Sequence, residues 1–393
     1  MILGTTATAR ADTELLTATI EAAVRRLDPA DGRPERVDRD GPFDRDLWGL
    51  LAGEVGVCAL AVPEDRGGLG ASFQDVAAVL TLLGAELSRV PCLSAVLATG
   101  ALADCPATPA TDEYLAGITA GTLIVTTVVP VPSGDTQFQV ERVGGDLVLS
   151  GTESFVVDGD IADVVLVPAA GADCSVGLYA VSADTLTRTR MTVTDGTRVM
   201  STITADRVPA VLLDPHPSIR RLQDRALVAL ACDGLGVATR TLDDAVAYAN
   251  GRVQFGRVIG GFQAVKHRLA EVAVAVELAK SAVAHAVWAV DEGTDHDLSE
   301  AAAIAAIACG EAACRATAEN VQVHGGIGFT WEHTAHLFYR RALSNDVLWG
   351  SGDQHAQRLY QLAVDGPTRV SPDAVSSPTA APTSLPHSNT AAW

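Results

Sequence analysis

The sequence predicts an α+β, mostly α fold in three parts. These are an N-terminal helical domain over residues 1–120, a middle β-barrel or sandwich over 121–215 and a C-terminal four-helix bundle over 216–365. Three observations predict it. Apolar residues recur at helical spacing on both sides of a central region. That region consists of short β-branched runs broken by Gly, Asp and Pro. Hydrophobic residues make up 48% against 19% charged, enough to furnish each part with a core.

In chain order, Asp12–Leu27 has apolar positions at helical spacing with Asp12 placed as N-cap, and Phe43–Val55 repeats the pattern. The stretch Ala61–Gly70, AVPEDRGGLG, must turn sharply, and Ser72–Leu87 is a further apolar helix. From position 121, LIVTTVVPV, DLVLSG, SFVVDG, ADVVLVPA and VGLYAVSA read as strands. Four long amphipathic stretches follow, Leu222–Asn250, Val265–Asp291, Leu298–His324 and Thr334–Asp365, enough for an antiparallel bundle. Residues 366–393, rich in Ser, Pro, Thr and Ala, have no apolar period and are expected to form a disordered tail.

The formal charge of −20 argues against a nucleic-acid partner, because so negative a surface repels phosphate backbones. The seven cysteines are scattered, with no CxxC pair and no Cys/His metal spacing, so free thiols in a reducing compartment and no metal are expected. No signal-peptide pattern and no run of 18 uncharged apolar residues is visible, which predicts a cytoplasmic protein that does not enter a membrane.

Two glycine-punctuated segments stand out in the helical C-terminal region: Arg252–Ala270, RVQFGRVIGGFQAVKHRLA, and Asn320–Arg341, NVQVHGGIGFTWEHTAHLFYRR. Each reads as a helix end, a tight loop and a new helix. Gly256, Gly260, Gly261, Gly325, Gly326 and Gly328 permit positive φ or close backbone approach. Arg252, Gln254 and Gln263 could donate to an anion, and backbone N–H groups beside a helix start can hold phosphate. Ordinary interhelical loops with glycine caps would carry the same pattern.

Together with VPEDRGGLG (62–70) and the strand pair LSG…FV..G..AD.VLV (149–167), in this order and spacing, these segments make the chain similar to the acyl-CoA dehydrogenase family over about residues 10–365. The resemblance implies an FAD enzyme, usually a homotetramer. It places the flavin between β-domain and bundle, with the cofactor's ADP arm held by a neighbouring subunit's bundle. It implies that Arg252, Gln254, Phe255, Gln263, Gln322, Gly325 and Gly326 contact the neighbour's FAD. It also implies that Phe155, Val156 and Val157 pack on the isoalloxazine. Val157 stands where the family has a Thr whose hydroxyl bonds the flavin. The family's upstream Thr-Glu-Pro loop reads Val129-Pro130-Val131-Pro132.

The implied activity is α,β-dehydrogenation of an acyl-CoA or acyl-carrier thioester: a carboxylate takes the α-proton while the β-hydride passes to flavin. Counting from HGGIGF puts Trp349 at the family's usual Glu position. The alternate base position falls on Ala226, and the thioester-binding Arg position falls on Leu227 with Arg225 beside it as the substrate-binding candidate. Asp233, seven residues after Ala226, lies on nearly the same helix face within the apolar run ALACDGLG. A lone buried acid is either functional, as the base, or bonded across the bundle or at a subunit contact. Asp353 and Glu332 are further acids, and His324 and His333 are expected to be packed and hydrogen-bonded. Three readings follow: an acyl-CoA dehydrogenase, a subunit of a heterotetramer whose related partner supplies the base, and a non-oxidative or assembly protein on the same fold.

Overall fold

Two glycines set how the N-terminal helices meet the bundle. A Cβ at Gly84 would lie 2.3 Å from the Asp233 carbonyl oxygen, and one at Gly236 would lie 1.9 Å from that of Thr81. The helices carrying them therefore cross backbone to backbone, an approach only glycine allows. The computed structural model that shows this describes residues 7–41, 43–131 and 136–365. The expected tail over 366–393, and Pro132, lie outside the described residues.

The N-terminal part holds α1 (Ala7–Leu27), α2 (Arg33–Asp40), α3 (Arg45–Trp48), α4 (Phe73–Ala85), α5 (Cys92–Asp104) and α6 (Pro109–Thr119). Asp12 lies inside α1 rather than capping it. The helix expected over 43–55 begins at Asp44, whose side chain accepts the Leu47 N–H at 3.0 Å. It then widens into a π-helical turn at Gly49–Val55, and Gly56 at φ +75° ends it. Helix α6 is capped at its start by Thr108 and Thr111, which bond reciprocally, with Pro109 in the first turn.

The middle part is a mixed sheet of β1 (Val125–Thr127), β2 (Phe138–Val143), β3 (Asp146–Val157), β4 (Val164–Ala170), β5 (Val176–Ser182), β6 (Thr187–Arg190), β7 (Met200–Pro209) and β8 (Val211–Asp214). The strand order is β6-β7-β3-β2-β4-β5-β8, with β1 pairing parallel to β4. The described strands do not close into a barrel; they fold over as a sandwich. Strands β2 and β4 meet at the single pair Gln139–Ala170, and Phe138, Leu149, Val165, Val167 and Ile203 fill the interior. A β-bulge between Glu153 and Val156 re-aims the end of β3, leaving Phe155 at φ +60°.

The C-terminal part holds α7 (Ile219–Gly251), α8 (Gln263–Asp291), α9 (Asp295–His324), α10 (Ala335–Asn345) and α11 (Gly352–Asp365). A two-residue-arm hairpin, β9 (Val253–Gln254) and β10 (Arg257–Val258), joins α7 to α8. The single helix expected over 334–365 is broken after Asn345, where Trp349 at φ +63° and Gly350 at φ +124° turn the chain. Both Asp291 carboxylate oxygens, at the end of α8, accept the Phe73 N–H at 3.0 Å and so cap α4 from another part of the fold. Helices α8 and α9 are long and apolar enough to cross a membrane by length and composition, and both pack within the bundle.

Candidate active-site cleft

A cleft of about 770 Å³ opens between the sandwich and the end of α10. Its sandwich wall includes Thr127, Val129, Pro130, Val131, Phe155, Val156 and Val157, and a loop from Met191 to Thr194 adds to it. Its bundle wall is Leu343, Ser344, Val347, Leu348 and Trp349. The sequence-predicted Phe155, Val156, Val157 and Trp349 are thus brought together. The broken helix is the cause for Trp349: the left-handed turn points the indole into the cleft instead of continuing α10. Its residue is only 7% exposed, whereas Phe155 at the mouth is 57% exposed.

Glu153 and Thr127 are among the cleft residues that sequence reasoning missed. Among the described residues Glu153 is the only ionisable side chain in the lining, and it stands on β3 with the sandwich wall, its carboxylate accepting the Ser154 N–H at 3.1 Å. Thr127 lines the cleft, and its buried hydroxyl has no hydrogen-bond partner among the described residues. Its β-branched run hid it: Thr126 and Thr127 read simply as strand formers, and only the alternation of faces could have separated them.

The acids proposed from sequence lie elsewhere. Asp233 does not line the cleft. Its Oδ1 accepts from Arg341 Nη1 at 3.0 Å, and its Oδ2 accepts from Asn345 Nδ2 at 2.7 Å and pairs with Arg198 Nη2 at 3.2 Å. The same Arg341 donates to Asp195 at 2.6 Å and to the hydroxyl and carbonyl of Thr197. Burial alone would raise the Asp195 carboxyl, but Arg341, Arg198 and the Thr197 bonds outweigh it and hold it below the usual carboxylate range. A carboxylate so paired is a structural tie among sandwich, α7 and α10, and the assignment of Asp233 as base is corrected on that ground. Ala226 and Leu227 are fully enclosed in the core, so the alternate base position also lies off the cleft. Arg225 is turned away: its Nη1 pairs with Asp104 and donates to the Gly100 carbonyl at 3.0 Å, which corrects its reading as a substrate-binding residue. Asp353 and Glu332 are exposed and absent from the lining.

The two glycine-rich segments meet at one end of the bundle. The ring of Tyr248 on α7 lies 4.1 Å from that of His324 on α9, and His324 lies 4.4 Å from His333. Beneath them, Ala245, Ala249 and Leu269 pack with Ile259, Val265 and Val323. Arg252, Gln254, Gln263, Gln322, Gly325 and Gly326 are all exposed on this corner. Phe255 forms the hairpin tip at φ +51° and is 91% exposed. Added Cβ atoms at Gly325 and Gly326 would meet nothing within 4 Å, so the corner is open. Asn320, 1% exposed just before it, has both amide atoms buried and unpartnered. None of these corner residues lines the cleft.

Known families match both helical parts of this architecture. The N-terminal domain of acyl-CoA dehydrogenases matches residues 11–122, and the C-terminal domain of acyl-CoA dehydrogenases matches residues 223–361. The chain belongs to the acyl-CoA dehydrogenase family. It is 34% identical to acyl-CoA dehydrogenase IpdE2 of Mycolicibacterium smegmatis, over 88% of this chain and 97% of that protein. The Mycobacterium tuberculosis IpdE2 is 33% identical over 84% of this chain and 90% of its own length. Among solved structures, the Tcur3481-Tcur3483 steroid ACAD superposes with a TM-score of 0.83 at 28% identity, covering 91% of this chain and 99% of that one. The ChsE4-ChsE5 complex from Mycobacterium tuberculosis gives 0.83 at 27%, covering 94% and 100%. The chain is accordingly an oxidoreductase of the CH–CH class, and FAD is the cofactor that its family implies. The acyl-CoA dehydrogenase cleft of this chain fits that cofactor: it is roomy, and Phe155, Val156, Val157, Leu343, Val347, Leu348 and Trp349 make both walls largely apolar.

Proposed function

We propose that this chain is a subunit of a heterotetrameric acyl-CoA dehydrogenase that introduces an α,β double bond into a CoA thioester, the α-proton being taken by a carboxylate of a related partner chain. The observation that supports this reading is the bundle wall of the cleft, Leu343, Ser344, Val347, Leu348 and Trp349, which carries no carboxylate; Trp349 is the residue that counting from HGGIGF aligns with the family's Glu. Asp233 is bound by two arginines and an asparagine, and Glu153 stands on the other wall. The two-chain names of the Tcur3481-Tcur3483 and ChsE4-ChsE5 structures support an assembly of unlike subunits.

FAD, when bound, supplies the hydride acceptor. The chain's own residues position it and dry the site. Phe155, Val156 and Val157 give one face a flat apolar support. Leu343, Val347, Leu348 and Trp349 exclude water on the other, which keeps a weakly acidic Cα–H within reach of a strong base. At the far corner, Arg252 offers a planar guanidinium to a pyrophosphate, Gln254, Gln263 and Gln322 offer amides, and Gly325 and Gly326 admit close approach. Because corner and cleft share no residue, each is suited to one end of a cofactor spread across two chains.

The test is reconstitution. The purified chain, alone and mixed with candidate acyl-CoA dehydrogenase partner chains, is loaded with FAD and exposed to acyl-CoA while flavin absorbance is followed. Bleaching only with a second chain is expected. Full turnover by the chain alone would remove the partner from the scheme.

A further inference from the structure

Trp349 enters the cleft because the chain turns at Gly350, and one side chain beneath that turn holds it. His355, on the first turn of α11, is 3% exposed, and its Nε2 lies 3.1 Å from the Gly350 carbonyl oxygen. A carbonyl oxygen only accepts, so Nε2 carries the ring's proton and donates it. Gly350 is at φ +124°, and a Cβ there would lie 2.8 Å from His355 Cε1. The imidazole thus fills the room that the glycine leaves. The backbone around the ring is fixed as well: the His355 N–H donates to the Ser351 carbonyl at 3.0 Å, and Gln354 Oε1 accepts the Ser351 N–H at 2.8 Å.

The other ring nitrogen is the sensitive one. Nδ1 is buried and has no hydrogen-bond partner among the described residues. The charged and titratable groups facing the ring are Arg358 on α11, Asp346 just after α10 and the thiol of Cys309 on α9, while the α7 residues beside it, Leu227, Leu230 and Ala231, are apolar. Arg358 is bound to Asp224, and burial pushes the Cys309 thiol up to about 12, so it stays neutral. Burial, helped by Arg358, lowers the ring's affinity for a second proton against the Gly350 bond and Asp346. That proton would put an N–H and a charge where nothing accepts them. We propose that His355 is the positioning residue of the cleft's bundle wall: as a neutral ring it locks the Trp349–Gly350 turn and so aims the indole into the cleft, and as a cation it releases the turn. The lock is a property of the chain by itself; its effect on FAD rests on the cofactor reading above.

The experiment follows Trp349 itself in the full chain. Fluorine NMR of protein labelled with fluorotryptophan reports the side chain, whose signal is the one lost in Trp349→Phe. In wild type that signal is expected to hold near neutral pH and to move in acid, at a pH below the ordinary histidine value of 6.5. His355→Gln keeps an N–H for the Gly350 carbonyl and cannot titrate, so its signal is expected to match wild type at about pH 8 and to stay there in acid. His355→Leu keeps apolar bulk and loses the donor. Its Trp349 signal is expected to be displaced at every pH, and its FAD dissociation constant to rise about fivefold to tenfold, the scale of one neutral hydrogen bond. Both variants are checked for folding by their melting curves. A histidine that only packs would lower the melting temperature and leave the Trp349 signal in place. That result in His355→Leu, or an acid transition that persists in His355→Gln, would overturn the assignment. A wild-type chain that takes up no flavin would overturn the cofactor reading alone, because the lock is read in flavin-free protein.

Discussion

Asp158 sits where the three parts of the chain meet, one residue beyond Val157, with its carboxylate fully enclosed. Ser94 of α5 donates to it at 2.6 Å, and Arg198, Arg341 and Asp160 are the charged groups that act on it. Burial pushes its carboxyl up to about 6 against the Ser94 bond and the two arginines. The folded state therefore holds a proton that the unfolded state releases from about pH 4 upward. Stability from this group is full at the acid end and falls as pH rises from about 4 to 6, by about 3 kcal/mol if the carboxyl titrates alone. Asp158→Asn is expected to match wild type near pH 4 and to exceed it at pH 7, measured by urea unfolding at both. Asp233 calls for the opposite result. Asp233→Ala takes the ion pair from the buried Arg198 and leaves Arg341 to Asp195, and is expected to cost about 3 kcal/mol, visible as a lowered melting temperature. Sequence alone showed that an acid inside ALACDGLG needed an explanation. It could not show which, because Asp195 and Arg198, from the loop before β7, and Arg341, from α10, reach Asp233 only in the folded chain. Phe155 and Trp349 were legible, since their positions follow from local motifs counted along the chain.

Among the elements, the helices were read from periodicity and their ends were not. The α10–α11 break depends on a tryptophan adopting a left-handed backbone, which no propensity predicts, and the π-helical turn at Gly49–Val55 left no mark in the pattern. The sandwich was read from β-branched runs; among the described strands it stays open because its terminal strands, β6 and β8, do not pair with each other. Glycines discriminate between structural and functional elements. Gly236→Ala would push a Cβ into the Thr81 carbonyl, forcing α4 and α7 apart at about 2–3 kcal/mol. Gly326→Ala meets empty space and is expected to leave the melting temperature within 1 °C or so while weakening FAD retention in the assembly. Helix α8 shows a further regularity. His267, Glu271, Val274, Leu278, Ser281, His285 and Trp288 are exposed at alternating steps of four and three, with Val274 61% and Leu278 64% exposed. That spacing sets the exposed Val274 and Leu278 along one stripe, and Leu278→Glu is expected to shift the assembly to smaller species in light scattering.

Over the whole molecule, the order helical part, sandwich, bundle was plain from texture, because each layer announces its period over tens of residues. The division of labour between cleft and corner was not, since nothing in a linear string says that two glycine loops 65 residues apart share one end of a bundle while the flavin-facing strand lies elsewhere. The packing of Tyr248, His324 and His333 closes that gap. The tryptophan of the cleft carries one more implication. Trp349 is nearly enclosed, rigidly turned and in contact with the space a yellow ring system would fill, whereas Trp288 and Trp331 face outward. Indole emission overlaps flavin absorption, so this side chain is a built-in optical reporter: its glow dims when the site loads and returns when it empties.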